Sequence, residues 1–186
     1  FIVHTIFPAR KKLNKYLKKI SPKFKDAEIL EFGSGVSTKF SAKKIFINTK
    51  SFKQTDVNPD FGHDILDVRD VSHLNKEYDL VLCCNVIEHV YENEKIVSNL
   101  KKLVKKNGYL LISVPFIYPL HDEPGDYWRY TEHTLKKMFE DFHIEDFKYN
   151  GLREFPYQYI MLLKNKWFKI KSVSLGPAFS HVNVKK

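Results

Sequence analysis

Cysteine is nearly missing from this chain of 186 residues: there are two, Cys83 and Cys84, and they are neighbours. Adjacent thiols suit neither an ordinary disulfide nor the spaced pairs of a zinc knuckle. In their apolar stretch they read as buried reduced thiols, and a cytoplasmic setting is expected. No apolar run nears the roughly 20 residues that cross a bilayer, and no signal-peptide pattern opens the sequence, so a soluble protein is expected. Nor does any internal repeat or low-complexity linker divide the chain, and one domain over residues 1–186 is expected.

What is plentiful is apolar side chain, 43% of residues with 15% aromatic, enough for a buried core. Basic residues outnumber acidic ones, 31 to 22, giving a net charge of +9. That charge permits an anionic partner such as nucleic acid, a phosphorylated substrate or an acidic membrane face. Because the lysines are scattered, a Lys-rich solvated surface is the preferred reading.

Hydrophobic period and punctuation organise the rest. Leu13, Tyr16, Leu17 and Ile20 stand at i, i+3, i+4 and i+7 with lysines on other faces and Pro22 beyond, which predicts an N-terminal amphipathic helix within residues 1–27. Packing on the domain is preferred over contact with a membrane or phosphate. Glu28 to Phe32 predicts a buried strand running into Gly33-Ser34-Gly35 and a weak helix from Thr38 to Lys44. A second strand is either Ile45 to Ile47 or Lys53 to Val57, the latter favoured and ending at Asp56. Further strands are expected at Asp64 to Val68, Tyr78 to Cys83, Tyr109 to Val114 and Ile144 to Tyr149. Ile96 to Val104 reads as a helix stopped by Asn107-Gly108, and Leu135 to Phe142 as another with Thr131 as its N-cap. Short apolar strands alternating with helices mean an α/β domain, a parallel sheet covered on both faces.

In such a sheet a ligand lies beyond the carboxyl ends of the strands, where strand order reverses. Gly33 and Gly35 follow the first strand and let a ligand approach bare backbone. Asp56 ends the second about 20 residues later, placed to accept hydrogen bonds from ribose hydroxyls. A dinucleotide dehydrogenase wants a third glycine under its pyrophosphate, where this chain has Ser37 and Thr38. S-adenosylmethionine has no pyrophosphate, so the sequence leans towards it.

Glu31-Phe32-Gly33-Ser34-Gly35, Thr55-Asp56-Val57, Asp64-Ile65-Leu66-Asp67 and Tyr78 through Val90 resemble, in order and spacing, the successive motifs of class I S-adenosylmethionine-dependent methyltransferases. Leu103 to Pro115 is similar to that family's helix, turn and fifth strand, with Asn-Gly where Pro-Gly or Gly-Gly is commoner. The likeness covers Glu28 to Gly151. It implies a Rossmann-like fold, a mostly parallel seven-stranded sheet with helices on both faces, with residues 28–151 as the cofactor-binding core. It also implies that Glu31, Gly33 and Gly35 line the methionine end of S-adenosylmethionine and Asp56 holds the ribose. Asp67 with the Val68 amide then meets adenine, and Asn85 borders the reactive sulfur. Ser37 departs from the glycine of many relatives and puts the loop's shape in doubt.

The stretch His121-Asp122-Glu123-Pro124-Gly125-Asp126-Tyr127-Trp128-Arg129-Tyr130-Thr131 looks like a loop found in a branch of these enzymes, often bacterial and often near surface-glycan genes. Physically, Tyr127 and Trp128 can pack on a ring or sugar face, Arg129 can fix a carboxylate or phosphate, and His121 can take a proton. The bland alternative makes the aromatics core, pairs Arg129 with Asp126 or Asp122, and leaves His121 structural. His121 is preferred as general base over His89, which opens a helix start with Glu88. Asp122, Glu123 and His121 fit no metal-ligand spacing, and no metal is expected.

Phe155 to Trp167 reads as a helix apolar on several sides, within a 152–186 tail that also holds a final strand, Lys169 to Leu175 or His181 to Val184. It would pack under that strand, close the acceptor pocket, dimerise or touch a membrane. The expected activity is methyl transfer from S-adenosylmethionine, leaving S-adenosylhomocysteine, to a small or glycan-linked acceptor, at oxygen before nitrogen. The rivals are an RNA methyltransferase, which usually brings an extra module or an Asn-Pro-Pro-Tyr motif absent here, a non-catalytic scaffold, and an NAD-dependent oxidoreductase.

Overall fold

Alternate residues of each central strand face opposite sides of one sheet, and both sides are apolar. In the first strand, β1 (Glu28–Phe32), Ile29 faces one core and Leu30 and Phe32 the other. The computed structural model describes residues 9–36, 41–121, 124–152 and 156–166. Six further strands complete a seven-stranded sheet: β2 (Ser51–Asp56), β3 (Asp64–Ile65), β4 (Tyr78–Cys84), β5 (Val104–Pro115), β6 (His143–Gly151) and β7 (Pro156–Lys164). Their order is β3-β2-β1-β4-β5-β7-β6. The first five are parallel, and β7 runs antiparallel between β5 and β6.

Helix α1 (Ala9–Ile20) buries the predicted stripe of Leu13, Tyr16, Leu17 and Ile20 on one face, against Ile29, Leu80, Leu82, Leu111, Ile160 and Leu162. Each such side chain taken fully from water is worth about 1.5 to 3 kcal/mol, so this helix is fastened to the sheet. On the other face lie α2 (Asn93–Lys102) and α3 (Glu132–Met138). Thr131 caps α3, its hydroxyl accepting from the Thr134 amide at 3.1 Å. Cys83 and Cys84 sit inside β4, where burial pushes the Cys84 thiol up to about 12. No helix among the described residues is long and apolar enough to cross a membrane.

Four expectations are corrected. Tyr157 to Lys164 belongs to a strand, not a helix: β7 is covered on both faces, so its apolar run is continuous and mimics a helix apolar all round. The final strand and Trp167 lie outside the described residues. Asn107-Gly108 does not end a helix. Helix α2 stops at Lys102, and the pair sits inside β5, where the register with β4 shifts and Asn107 takes a φ of 63°. The third strand shortens to Asp64–Ile65. Of the weak helix, a 3-10 turn at Ala42–Lys44 is described and residues 37–40 are not.

Candidate active site

Strand order reverses between β1 and β4, and the crevice expected there exists. A cavity of about 340 Å³ is lined by the residues that follow successive strands. Phe32 and Gly33 come from the end of β1, Asp56 and Val57 from β2, Leu66 to Arg69 from β3, and Asn85 and Val86 from β4. Phe61, His89 and Val90 close it.

The floor is glycine by necessity. Gly33 has a φ of +64°, and a Cβ there would stand 2.4 Å from Val86 Cγ2. The loop above it is sewn to β2: the Ser34 amide donates to the Thr55 carbonyl at 3.0 Å and the Gly35 amide to Asp56 Oδ2 at 2.9 Å. Asp56 is 7% exposed, its other oxygen accepting from the Asn58 amide at 3.0 Å. A carboxylate has about four lone-pair sites, so both oxygens keep capacity for hydroxyls in the cavity.

Of the residues assigned to the cofactor, Gly33, Asp56, Asp67, Val68 and Asn85 line the cavity; Glu31 and Gly35 are not among its lining residues. The Glu31 carboxylate lies beneath the glycine loop, accepting from Ser34 Oγ at 3.1 Å and Gln54 Nε2 at 3.2 Å. Burial raises its carboxyl above the usual range against the pull of those bonds. Asp67 is gripped by Arg69 at 2.6 Å. Asn99 holds Val68 in place, donating to its carbonyl at 2.9 Å. Asn85 takes a φ of 56° at the end of β4, its side chain tied to Ser113 and Gln158.

The loop after β5 is pinned to the 3-10 turn Ile87–His89. Tyr127 and Trp128 amides donate to the Glu88 carbonyl at 2.9 and 3.2 Å, and the Tyr130 hydroxyl donates to that of Ile87 at 3.0 Å. His89 Nδ1 meets the Gly125 carbonyl at 2.9 Å, and the His89 and His121 rings stand edge to face, 4.9 Å between centroids. The two imidazoles proposed as bases are thus brought together, one of them on the cavity wall. Trp128 stacks on Tyr91 at 5.6 Å and on Tyr130 at 6.3 Å, and Tyr127 packs edge-on against Tyr91 at 5.7 Å.

Arg129 and Asp126 turn to each other instead of outward. The guanidinium holds both Asp126 oxygens, at 2.6 and 2.7 Å, and also reaches the carbonyls of Tyr118, Pro119 and Trp128. Arg129 keeps the Asp126 carboxyl well below the usual carboxylate range. With its donors so committed, Arg129 locks the loop: the expectation that it fixes a carboxylate or phosphate of the acceptor gives way to the alternative in which it pairs with Asp126. Asp122, Glu123 and Ser37 lie outside the described residues.

Sequence reasoning gave the fully buried Glu88 no role beyond a helix start and Val57 none beyond its motif, and it missed Tyr91 and the apolar wall Phe61. Val57 carried a signal, an apolar residue directly after Asp56, and it is 60% exposed on the cavity rim.

Residues 7–148 match the methyltransferase domain family. The chain belongs to that family. As a class I methyltransferase domain it shares its fold with the N-methyltransferase NodS from Bradyrhizobium japonicum WM9 in complex with S-adenosyl-L-homocysteine (TM-score 0.67, 15% identity, 86% of this chain and 89% of that one). It shares it too with the magnesium protoporphyrin IX methyltransferase of Synechocystis PCC 6803, also with bound S-adenosylhomocysteine (TM-score 0.64, 13% identity, 84% and 83%). In sequence, the domain is similar to the ubiquinone biosynthesis O-methyltransferase of Rickettsia bellii, 28% identical over 127 residues, 60% of this chain. It spans about half the length of that relative, 52%. The cavity has at its floor a glycine whose place a side chain would fill, and at its edge the buried Asp56 carboxylate, an acceptor for hydroxyls.

Proposed function

We propose that this domain transfers a methyl group from S-adenosylmethionine to a hydroxyl of a small acceptor bearing a flat ring or sugar. The observation that carries the proposal is the continuity of the two halves. His89 is at once a wall of the cofactor cavity and a contact of the loop that holds His121 and the aromatic stack.

In this reading Gly33 and Asp56 hold the cofactor, with Asp67 and Val68 at its adenine and Asn85 near its sulfur. Glu31, reached through the loop it supports, helps fix the methionine end. The bound cofactor supplies a methyl already activated by positive sulfur, so the chain's task is positioning and exclusion of water. Tyr91, Trp128 and the half-exposed Tyr127 offer ring faces to the acceptor. His89 donates Nδ1–H to a carbonyl, which leaves Nε2 for the proton a hydroxyl gives up, and His121 stands beside it; such a base typically contributes roughly 10²- to 10⁴-fold. Oxygen is favoured over nitrogen by the O-methyltransferase relative and by those two imidazoles, since an amine acceptor needs a base less.

Calorimetry tests the cofactor: S-adenosylhomocysteine should bind and NAD should not, with binding lost in Asp56→Ala. Radiolabelled methyl transfer to hydroxylated aromatics, saccharides and RNA then tests the acceptor. Transfer to RNA alone, or no affinity for S-adenosylhomocysteine, sinks the proposal.

A further inference from the structure

The turn after β4 and the loop after β5 bring three groups together that no sequence spacing would connect. One ligand atom each from Glu88, His89 and His121 lies within 4.8 Å of the other two. Two imidazoles and a carboxylate form the ligand set of open catalytic zinc sites and of facial-triad iron sites.

The surroundings suit ligands more than bystanders. A ligating histidine almost always gives its second N–H to a carbonyl or carboxylate, which fixes the ring and leaves the other nitrogen's lone pair for the ion. Both rings here are set that way. His89 Nδ1 is 2.9 Å from the Gly125 carbonyl, and His121 Nδ1 is 3.1 Å from Asp126 Oδ2 and 3.2 Å from the Pro119 carbonyl. Asp126 is itself locked by Arg129, and its Oδ2 also accepts the His121 backbone amide at 3.0 Å. Glu88 is 0% exposed, and its Oε1 faces His89 Nε2 at 3.9 Å.

We propose that Glu88, His89 and His121 bind a divalent first-row transition cation on the acceptor side of the cofactor cavity. Bonds of about 2.0 to 2.2 Å put ligand atoms on one ion about 3 to 3.5 Å apart, so small side-chain rotations close the triangle. Two imidazoles favour Zn²⁺, Fe²⁺ or Mn²⁺ over Mg²⁺ and Ca²⁺, which prefer all-oxygen shells. Three protein ligands leave positions open. Because His89 lines the cavity, those positions can take an acceptor oxygen, whose proton passes to water more readily once coordinated. The acceptor class narrows to molecules that present a hydroxyl, or two neighbouring ones, to a metal. This rests on the methyltransferase reading above; the two imidazoles then serve as ligands in place of a base.

The competing account is a plain ion pair between Glu88 and a protonated His89, with His121 as filler. Zn²⁺ titration of the chelator-treated, tag-free chain separates the two, run beside S-adenosylhomocysteine titration of the same samples. One equivalent of Zn²⁺ should bind. His89→Ala and His121→Ala should each weaken it by roughly 100-fold, and Asp126→Asn, an outer partner, by about tenfold, with circular dichroism verifying the fold. Co²⁺ in place of Zn²⁺ should give visible absorption bands that His121→Ala abolishes, a readout independent of the buried Glu88. No uptake by the wild-type chain, or uptake by both histidine variants as tight as by wild type, overturns the cation site. Loss of S-adenosylhomocysteine binding with Zn²⁺ uptake intact would fell the cofactor reading alone.

Discussion

Asn85, at the end of β4, accepts a hydrogen bond at 3.0 Å from Gln158, which lies on β7 two strands away in the sheet. Ser113 of β5 joins the same oxygen at 3.1 Å, and Asn150 of β6 donates to Gln158 Oε1 at 2.6 Å. A buried polar chain thus crosses the sheet's second half and ends on the cavity wall, where Asn85 holds a left-handed backbone conformation that costs energy. Gln158→Leu removes the link and strands Asn150. It should cost about 1 to 3 kcal/mol of stability and weaken S-adenosylhomocysteine binding although it touches no ligand. Denaturant unfolding and calorimetry measure the two; a variant with lowered stability and unchanged affinity would refute the coupling.

Gly33→Ala asks two things of the loop at once, a positive φ and room 2.4 Å from Val86 Cγ2. The conformation costs roughly 1 to 2 kcal/mol, and the clash must displace Val86, which lines the cavity. Cofactor affinity should fall by more than tenfold. In the double variant with Val86→Ala the clash is relieved and the backbone strain remains, so affinity should recover in part. Full recovery would mean that the positive φ is not required.

Glu31→Gln separates stability from binding. Burial raises the Glu31 carboxyl above its ordinary value of 4.5, so the fold holds that proton more tightly than the unfolded chain does. Stability tied to this group therefore falls as pH rises from 4.5 through the raised value, and neutral glutamine removes the slope. At pH 7 the variant should melt higher than wild type and bind S-adenosylhomocysteine less well. Melting curves from pH 4 to 8 that run parallel for both proteins would show the slope comes from elsewhere.

The strand ends that build the cavity were legible because polar residues and glycine interrupt apolar runs at Gly33, Asp56 and Asn85. That punctuation is local. Glu88 was not legible as a partner of His121, since nothing in their spacing says that a turn after one strand meets a loop after the next. The strand β7 was misread because burial on two faces erases the alternation that marks a strand. Asn107-Gly108 misled for a different reason. The pair has the residues of a helix stop, but at Gly108 a Cβ would meet the Lys105 and Tyr78 carbonyls at 2.9 and 3.0 Å, so glycine is needed there by a bulge.

The lock between Arg129 and Asp126 should govern how the loop behaves in acid. Hydrogen bonds from Arg129 hold the Asp126 carboxyl well below 3.8, its ordinary value, so its contribution is complete above that pH and is lost as pH falls toward the folded value. Asp126→Asn abolishes the charge and leaves a half-buried guanidinium facing an amide, at a cost of about 3 kcal/mol. The gap in melting temperature between wild type and variant should then narrow below 3.8, where wild type loses the same charge. Protease cleavage near Gly125 should rise in the variant at neutral pH, while S-adenosylhomocysteine affinity stays within a few-fold, because neither residue lines the cofactor cavity. A gap that widens in acid would reverse the assigned sign and show that Asp126 is stabilised as the protonated acid.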